Sequence, residues 1–154
     1  VLIQVDKTQD AYLSEGIALY SKRLGNYTSF STLTINVPKA VRQRSHNEQK
    51  LEEAKLIMTE LSNEDTLVLL DEKGKEYTSV DFAKFISQKQ NASVKRLVFL
   101  IGGPFGFDES IYKRANSKLA LSQMTFSHQM VRLFFVEQLY RAFTILKGEK
   151  YHHL

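Results

Sequence analysis

Apolar residues along the chain fall into short runs, and longer segments with helical spacing separate those runs. "LIQV" (Leu2–Val5) predicts a brief buried strand. After it, Thr8 and Asp10 offer N-cap chemistry, Ile17, Ala18 and Leu24 mark one side of a helix, and Gly25 ends it. "STLTINV" (31–37) alternates Leu33, Ile35 and Val37, the period of a strand, and stops at Pro38. "KAVRQRSHN" (39–47) has no apolar period and predicts an exposed, mobile loop. A helix over about 48–61 follows, with Leu51, Ala54, Ile57, Met58 and Leu61 on its apolar side. "TLVLLD" (66–71) and "RLVFLI" (Arg96–Ile101) are continuous apolar strands, as expected where both sheet faces are covered. Between them, "EKGKEY" reads as a turn and Ser79 as the cap of a helix carrying Phe82, Ala83 and Ile86. "GGPFG" breaks the second strand, a short helix is predicted near 108–114, and "KLALS" is a further strand. The last helix, beyond His128, is apolar nearly all round. Strands alternating with helices predict an α/β fold, a mainly parallel sheet flanked by helices, in a single domain over 1–154.

Composition narrows this picture. At 154 residues and 43% hydrophobic, the chain can bury one real core. No stretch approaches the roughly 18 apolar residues of a membrane span, and "VLIQVDKTQD" lacks the basic and apolar regions of a signal peptide. The absence of cysteine removes disulfides, thiolate nucleophiles and cysteine-ligated zinc. The expectation is a cytoplasmic protein with no metal and no membrane partner. The formal net charge of +4 is unevenly placed: +3 over 1–50, −2 over 51–100 and +3 over 101–154. Two basic ends make a nucleic acid a plausible partner.

In open parallel sheets, ligands bind beyond the carboxyl ends of strands. Three strand ends carry suitable loops: "LLDEKGK", "LIGGPFG" and "LALSQMTFSH". Gly102 and Gly103 allow close backbone approach, but Pro104 takes the place of the second glycine in a dinucleotide fingerprint, and no lysine-containing phosphate loop is present. In the third loop, Ser127 is a candidate N-cap, His128 stands in the first turn, and Arg132 at i+4 shares its face. Arg132 lies on an apolar stretch and needs a partner, either a carboxylate such as Asp71 or a polyanionic substrate. The apolar residues of the final helix cover more than one face, which predicts a second surface against the same helix of a two-fold partner. The tail "KGEKYHHL" has the composition of a disordered end.

"LLDEKGK", "VFLIGGPFGF", "LALSQMTFSHQMVRLFFVEQLYRAF" and "GEKYHH", in this order and spacing, resemble the bacterial large-subunit rRNA pseudouridine methyltransferases of the SPOUT class. The N-terminal strand, "KT" and "YSKRLGNY" extend the resemblance over the whole chain. It implies a homodimer with a C-terminal trefoil knot that uses S-adenosylmethionine. The implied substrate is a pseudouridine of ribosomal RNA at the subunit interface, methylated at N3. A knot is not something periodicity predicts. By motif match, Leu70 and Gly103 would lie in the cofactor pocket. Ser122, Gln123, Met124, Thr125, Phe126 and Ser127 would wrap the adenosine, mostly through backbone groups. Two positions depart from the family pattern: Ser127 stands where relatives usually have Pro, and Asp6 where they commonly have Gly.

For such a reaction the protein must align the nucleophile, exclude water and let the N3 proton leave. His128, Tyr151 or His152 could take that proton, and Arg132 could stabilise an anion or hold a phosphate. Lys22, Arg23, Lys39, Arg42 and Arg44 are candidate phosphate contacts. Two rival readings are a non-catalytic rRNA-binding assembly factor and a SPOUT methyltransferase acting on tRNA.

Overall fold

Alternate residues of the central strands face two different cores. In the computed structural model, which describes residues 1–153, Leu2, Val68, Phe99 and Ile101 join one apolar cluster. Their neighbours Ile3, Leu67, Leu69, Val98 and Leu100 join the other. Side chains alternate across a strand, so continuous apolar runs are what a sheet covered on both faces requires. The sheet has five strands in the order β2-β1-β4-β3-β5, and every neighbouring pair is parallel. They are β1 (Leu2–Val5), β2 (Thr32–Ile35), β3 (Asp65–Glu76), β4 (Arg96–Ile101) and β5 (Ser117–Ala120). Helices α1 (Ala11–Leu24), α4 (Ser79–Asn91) and α6 (Met130–Leu146) cover the first face. Helices α2 (Lys39–Arg42), α3 (His46–Thr59) and α5 (Glu109–Arg114) cover the second.

The element order agrees with the hydrophobic pattern; the departures are local and have physical causes. The segment after Pro38 is not a mobile loop. It forms α2, buries Val41, and is fastened by the Gln49 amide, which donates to the carbonyls of Arg42 and Arg44 at 3.1 and 2.8 Å. A capping box between Ser45 and Glu48 then starts α3 two residues earlier than the apolar spacing indicates. That helix is also rotated from its expected setting. Gln49, Glu53, Ala54 and Ile57 are its buried residues, whereas Leu51 is exposed. Thr78, not Ser79, caps α4 by accepting from the Asp81 N–H, and the Ser79 hydroxyl instead donates to Gln138.

"EKGKEY" is not a simple turn. β3 continues through it, with Leu70 and Lys75 both opposite Leu119 and the residues between them bulging out. Gly74 makes this possible, since a Cβ there would lie 2.6 Å from the Leu119 carbonyl carbon and 2.7 Å from its nitrogen. Backbone at that distance cannot move aside without parting β3 from β5. Gly74→Ala should therefore destabilise the fold by about 1–3 kcal/mol. Thermal melting will read this as a lowered Tm, and an unchanged Tm would contradict the close approach.

Candidate active site

β1 and β4 are neighbours, yet the chain leaves them in opposite directions, from β1 to β2 and from β4 past β3 to β5. A crevice at the carboxyl ends of strands where connections diverge is the usual ligand position in such sheets. A cavity of about 510 Å³ opens on the β3 and β5 side of this point, beyond the carboxyl ends of β4 and β5 and beside the bulge of β3. Its walls are the three loops singled out from sequence: 70–73 after the first part of β3, 102–107 after β4, and 121–128 between β5 and α6.

Each loop is held by its own bonds. Asp71 accepts from the Tyr112 hydroxyl at 2.6 Å and from the Lys73 N–H at 2.8 Å. Burial first, and then this bond, push the Tyr112 phenol well above its ordinary pKa. In the second loop, the Gly106 N–H donates back to the Gly103 carbonyl, closing a tight turn that is also a cavity wall. Phe105 stacks on His46 with ring centroids 3.7 Å apart, fixing the turn against the start of α3. In the third loop, the Ser122 hydroxyl accepts from the Met124 N–H at 3.0 Å, and the Thr125 hydroxyl donates to the Glu72 carboxylate. Ser127 is not the N-cap of α6, a position taken by Gln129 without a side-chain cap; its hydroxyl accepts from the Gln129 and Met130 N–H groups at 3.2 Å each in the turn just before the helix.

Leu70, Gly103, Ser122, Met124, Thr125, Phe126, Ser127 and His128 all line the cavity. Gln123 does not; its amide turns away to Glu76. His128 is partly buried, and burial followed by the charge of Arg132 lowers its pKa, with Asp6 acting in the opposite sense. Its imidazole is therefore neutral at neutral pH.

Arg132 corrects its expected role. The side chain is fully buried, so it is not a surface to which substrate could bind, and its partner is not Asp71. Its guanidinium donates to the carbonyls of Val5 at 2.6 Å, Asp6 at 3.0 Å and His128 at 3.0 Å, and to the Thr8 hydroxyl at 3.0 Å. Thr8 is thus an acceptor for Arg132 and caps no helix. Asp6 adopts a left-handed conformation, φ 61°, at the centre of this knot of bonds. Its Oδ1 accepts from the Val37 N–H at 3.1 Å and from Arg42 at 2.7 Å. A left-handed turn explains why glycine suits that position, and the carboxylate bonds show what Asp6 adds there.

Tyr151 and His152 do not line the cavity either. The tail folds on the outer side of α6. The Tyr151 hydroxyl donates to Glu137 at 2.8 Å, its ring packs on Tyr140, and the Arg141 guanidinium lies 4.7 Å from the ring centroid. His152 Nδ1 is 3.4 Å from Arg141. Sequence reasoning passed over Glu53, which is buried behind the glycine turn: a Cβ on Gly103 would lie 3.1 Å from each of its carboxylate oxygens. The room left by Gly103 therefore belongs to Glu53 and not to a ligand. A signal was present, because Glu53 is one residue before Ala54 and four before Ile57, a charge beside the apolar stripe of α3.

A family model described as predicted SPOUT methyltransferase matches residues 1–152. The chain belongs to the SPOUT methyltransferase family. Curated relatives are named as methyltransferases as well. One named ribosomal RNA large subunit methyltransferase H, from Cytophaga hutchinsonii, is 58% identical over 149 residues, 97% of this chain and 96% of that one. Proteins of the same name from Flavobacterium johnsoniae and Christiangramia forsetii are 53% and 51% identical over 152 residues, 99% of this chain and 97% of each. A methyltransferase requires a methyl donor. No helix among the described residues is long and apolar enough to cross a membrane, and no cluster of metal-ligating side chains occurs among them.

Arg132 is best tested by replacement with Lys, which keeps the charge but cannot reach four acceptors on two segments. Losing these bonds to a buried charge should cost about 3 kcal/mol, roughly 6–12 °C in Tm for a domain of this size. A Tm within about 1 °C of the parent would contradict the structural role.

Proposed function

We propose that the chain methylates N3 of a pseudouridine in large-subunit ribosomal RNA, at the ribosomal subunit interface, with S-adenosylmethionine as donor and in the cytoplasm. The observation that carries this reading is the cavity itself. Three loops that match the family's motifs meet around one space at the strand ends, in a chain alike over its length to relatives named ribosomal RNA large subunit methyltransferase H. The lining suits the donor. Leu70, Ile101, Leu119, Leu121 and Val131 are apolar walls for an adenine ring, and the 122–127 loop offers backbone groups to its edge. The carboxylates of Asp71 and Glu72 border a space that would take a cationic ligand.

S-adenosylmethionine supplies a methyl group already activated by positive charge on sulfur. The chain's own residues then have three tasks: to hold, to orient and to exclude water. Leu70, Gly103, Ser122 and residues 124–127 form the cradle. Neutral His128, on its rim, can hydrogen-bond an incoming base. Arg132 is a positioning residue: it clips the end of β1 to the start of α6 and so fixes His128. The trefoil knot implied by the resemblance fits the chain's course. The chain leaves edge strand β5, passes Glu72 through Thr125, and reaches the β1 end through Arg132.

The proposal includes a homodimer. α6 is wedged between α1 and α4, which accounts for most of its apolar faces, yet Phe134 stays 42% exposed and packs on exposed Phe126, ring centroids 5.2 Å apart. In a two-fold pair over this patch, the tails carrying Tyr151 and His152 would complete sites across the interface. For RNA, Lys22 and Lys39 are exposed and outside the salt bridges found among the described residues, while Arg42 and Arg44 pair with Asp6 and Glu52.

Titration calorimetry with S-adenosylmethionine should show one site per chain; absence of binding by folded protein would overturn the enzyme reading and favour an assembly factor. Mass mapping of rRNA from cells lacking the gene should show one pseudouridine without its methyl group, and an unchanged residue would redirect the search to tRNA. Phe134→Glu should convert a dimer to a monomer in light scattering, with the far-ultraviolet circular dichroism retained.

A further inference from the structure

Methylation at a ring N–H requires that a proton leave, and the groups around the cavity differ in their freedom to take it. Asp71 is engaged by Tyr112 and Lys73, Glu72 by Thr125, and Asp6 by Val37 and Arg42. Glu53 is different. It is only 7% exposed, and desolvation and neighbouring charges, with no hydrogen bond, are what act on its carboxylate among the described residues. Both oxygens abut Gly103, a wall of the cavity. Buried carboxylates are ordinarily satisfied, so an unpartnered one at a ligand cavity marks a function left open to substrate.

Its surroundings suit proton transfer. Asp6, at the end of β1, faces it with like charge, and Arg42 of α2 opposes that effect but gives its own ion pair to Asp6. The glycine turn contributes no charge. Burial first, and then Asp6, push the Glu53 carboxyl up to about 7. A base is most effective when its pKa lies near the working pH. Arg132 holds the Asp6 carbonyl and the His128 carbonyl on one guanidinium, so the residue whose charge acts on Glu53 is tied to the His128 that lines the cavity.

We propose that Glu53 is the proton acceptor of the reaction, taking the proton from the reacting imide N–H of the target pyrimidine. The inference rests on the methyltransferase reading above. The N–H bond breaks and its electron pair stays on nitrogen, which forms the new bond to the methyl carbon. The bond from that carbon to its donor breaks with the pair going to the donor, and Glu53 passes the proton to water.

Glu53→Gln keeps the shape and removes the basicity. Single-turnover methylation at neutral pH should fall by about 100-fold or more, while calorimetry shows cofactor affinity within about threefold of the parent. The parent rate should rise with pH to a plateau, with a midpoint near that of Glu53, and the variant should lose this inflection. A readout independent of turnover is carboxyl carbon NMR of glutamate-labelled protein: one resonance titrates near neutrality and is missing in the variant. Full activity of Glu53→Gln, a parent profile with no inflection, or glutamate resonances that all titrate in the ordinary range would each overturn the proposal. Loss of cofactor affinity in step with activity would overturn it as well, because the residue would then be structural. If the parent itself methylates no RNA, the functional reading fails and this inference with it; if the parent is active and Glu53→Gln equally so, only this inference fails.

Discussion

The buried guanidinium of Arg132 is the interaction on which the rest of the architecture depends. A charge in an apolar interior is costly unless its donors are met. Here they are met by acceptors from the two ends of the chain, Val5, Asp6 and Thr8 on one side and His128 on the other. The bond set defines where α6 begins relative to β1. From that one junction follow the left-handed turn at Asp6, the place of His128 on the cavity rim, and the lateral fit of α6 between α1 and α4. Within the fold, Arg132 acts as a fixed clip whose effect on chemistry passes through its neighbours.

Around that junction, the sheet and its loops divide the work. Paired apolar faces on the parallel strands supply rigidity, with Leu67, Leu69, Val98 and Leu100 packed on one side and Val68, Phe99 and Ile101 on the other. The loops beyond the strand ends are polar and locally cross-bonded, as at Ser122, Thr125 and Ser127, and they rest on a scaffold that cannot shift far. Gly74 and Gly103 have related purposes. One lets backbone touch backbone, and the other lets a carboxylate reach the back of a turn. In both cases the missing side chain makes room for this protein's own atoms.

The outer side of α6 carries a different kind of information. The tail aromatics Tyr151 and Tyr140 pack with Tyr20 of α1, and Glu137 and Arg141 bind one another and the tail. The tail is therefore ordered by its own chain before any partner arrives. Composition alone, a short polar segment with two histidines, gives no sign of this, because the contacts that order it come from Tyr140, Glu137 and Arg141 of α6 and from the Tyr20 hydroxyl of α1, more than 100 positions away.

Periodicity and breakers determined much of this protein. Period-2 and continuous apolar runs placed the strands, and "RLVFLI" coincides with β4 to the residue. The three strand-end loops were legible as candidate chemistry because strand ends in parallel sheets are where ligands bind. Those signals are local, and local spacing is what a linear sequence records. Tertiary structure alone decided which face of α3 is buried, that the 39–47 segment is fastened through Gln49, and that Arg132 bonds to carbonyls of β1. It also set Glu53 behind Gly103, a contact across fifty residues that no local pattern encodes. The physical reason is the same each time. A buried polar group is satisfied by whichever partners the packed fold brings near, and backbone carbonyls, common to every residue, leave no mark in the sequence.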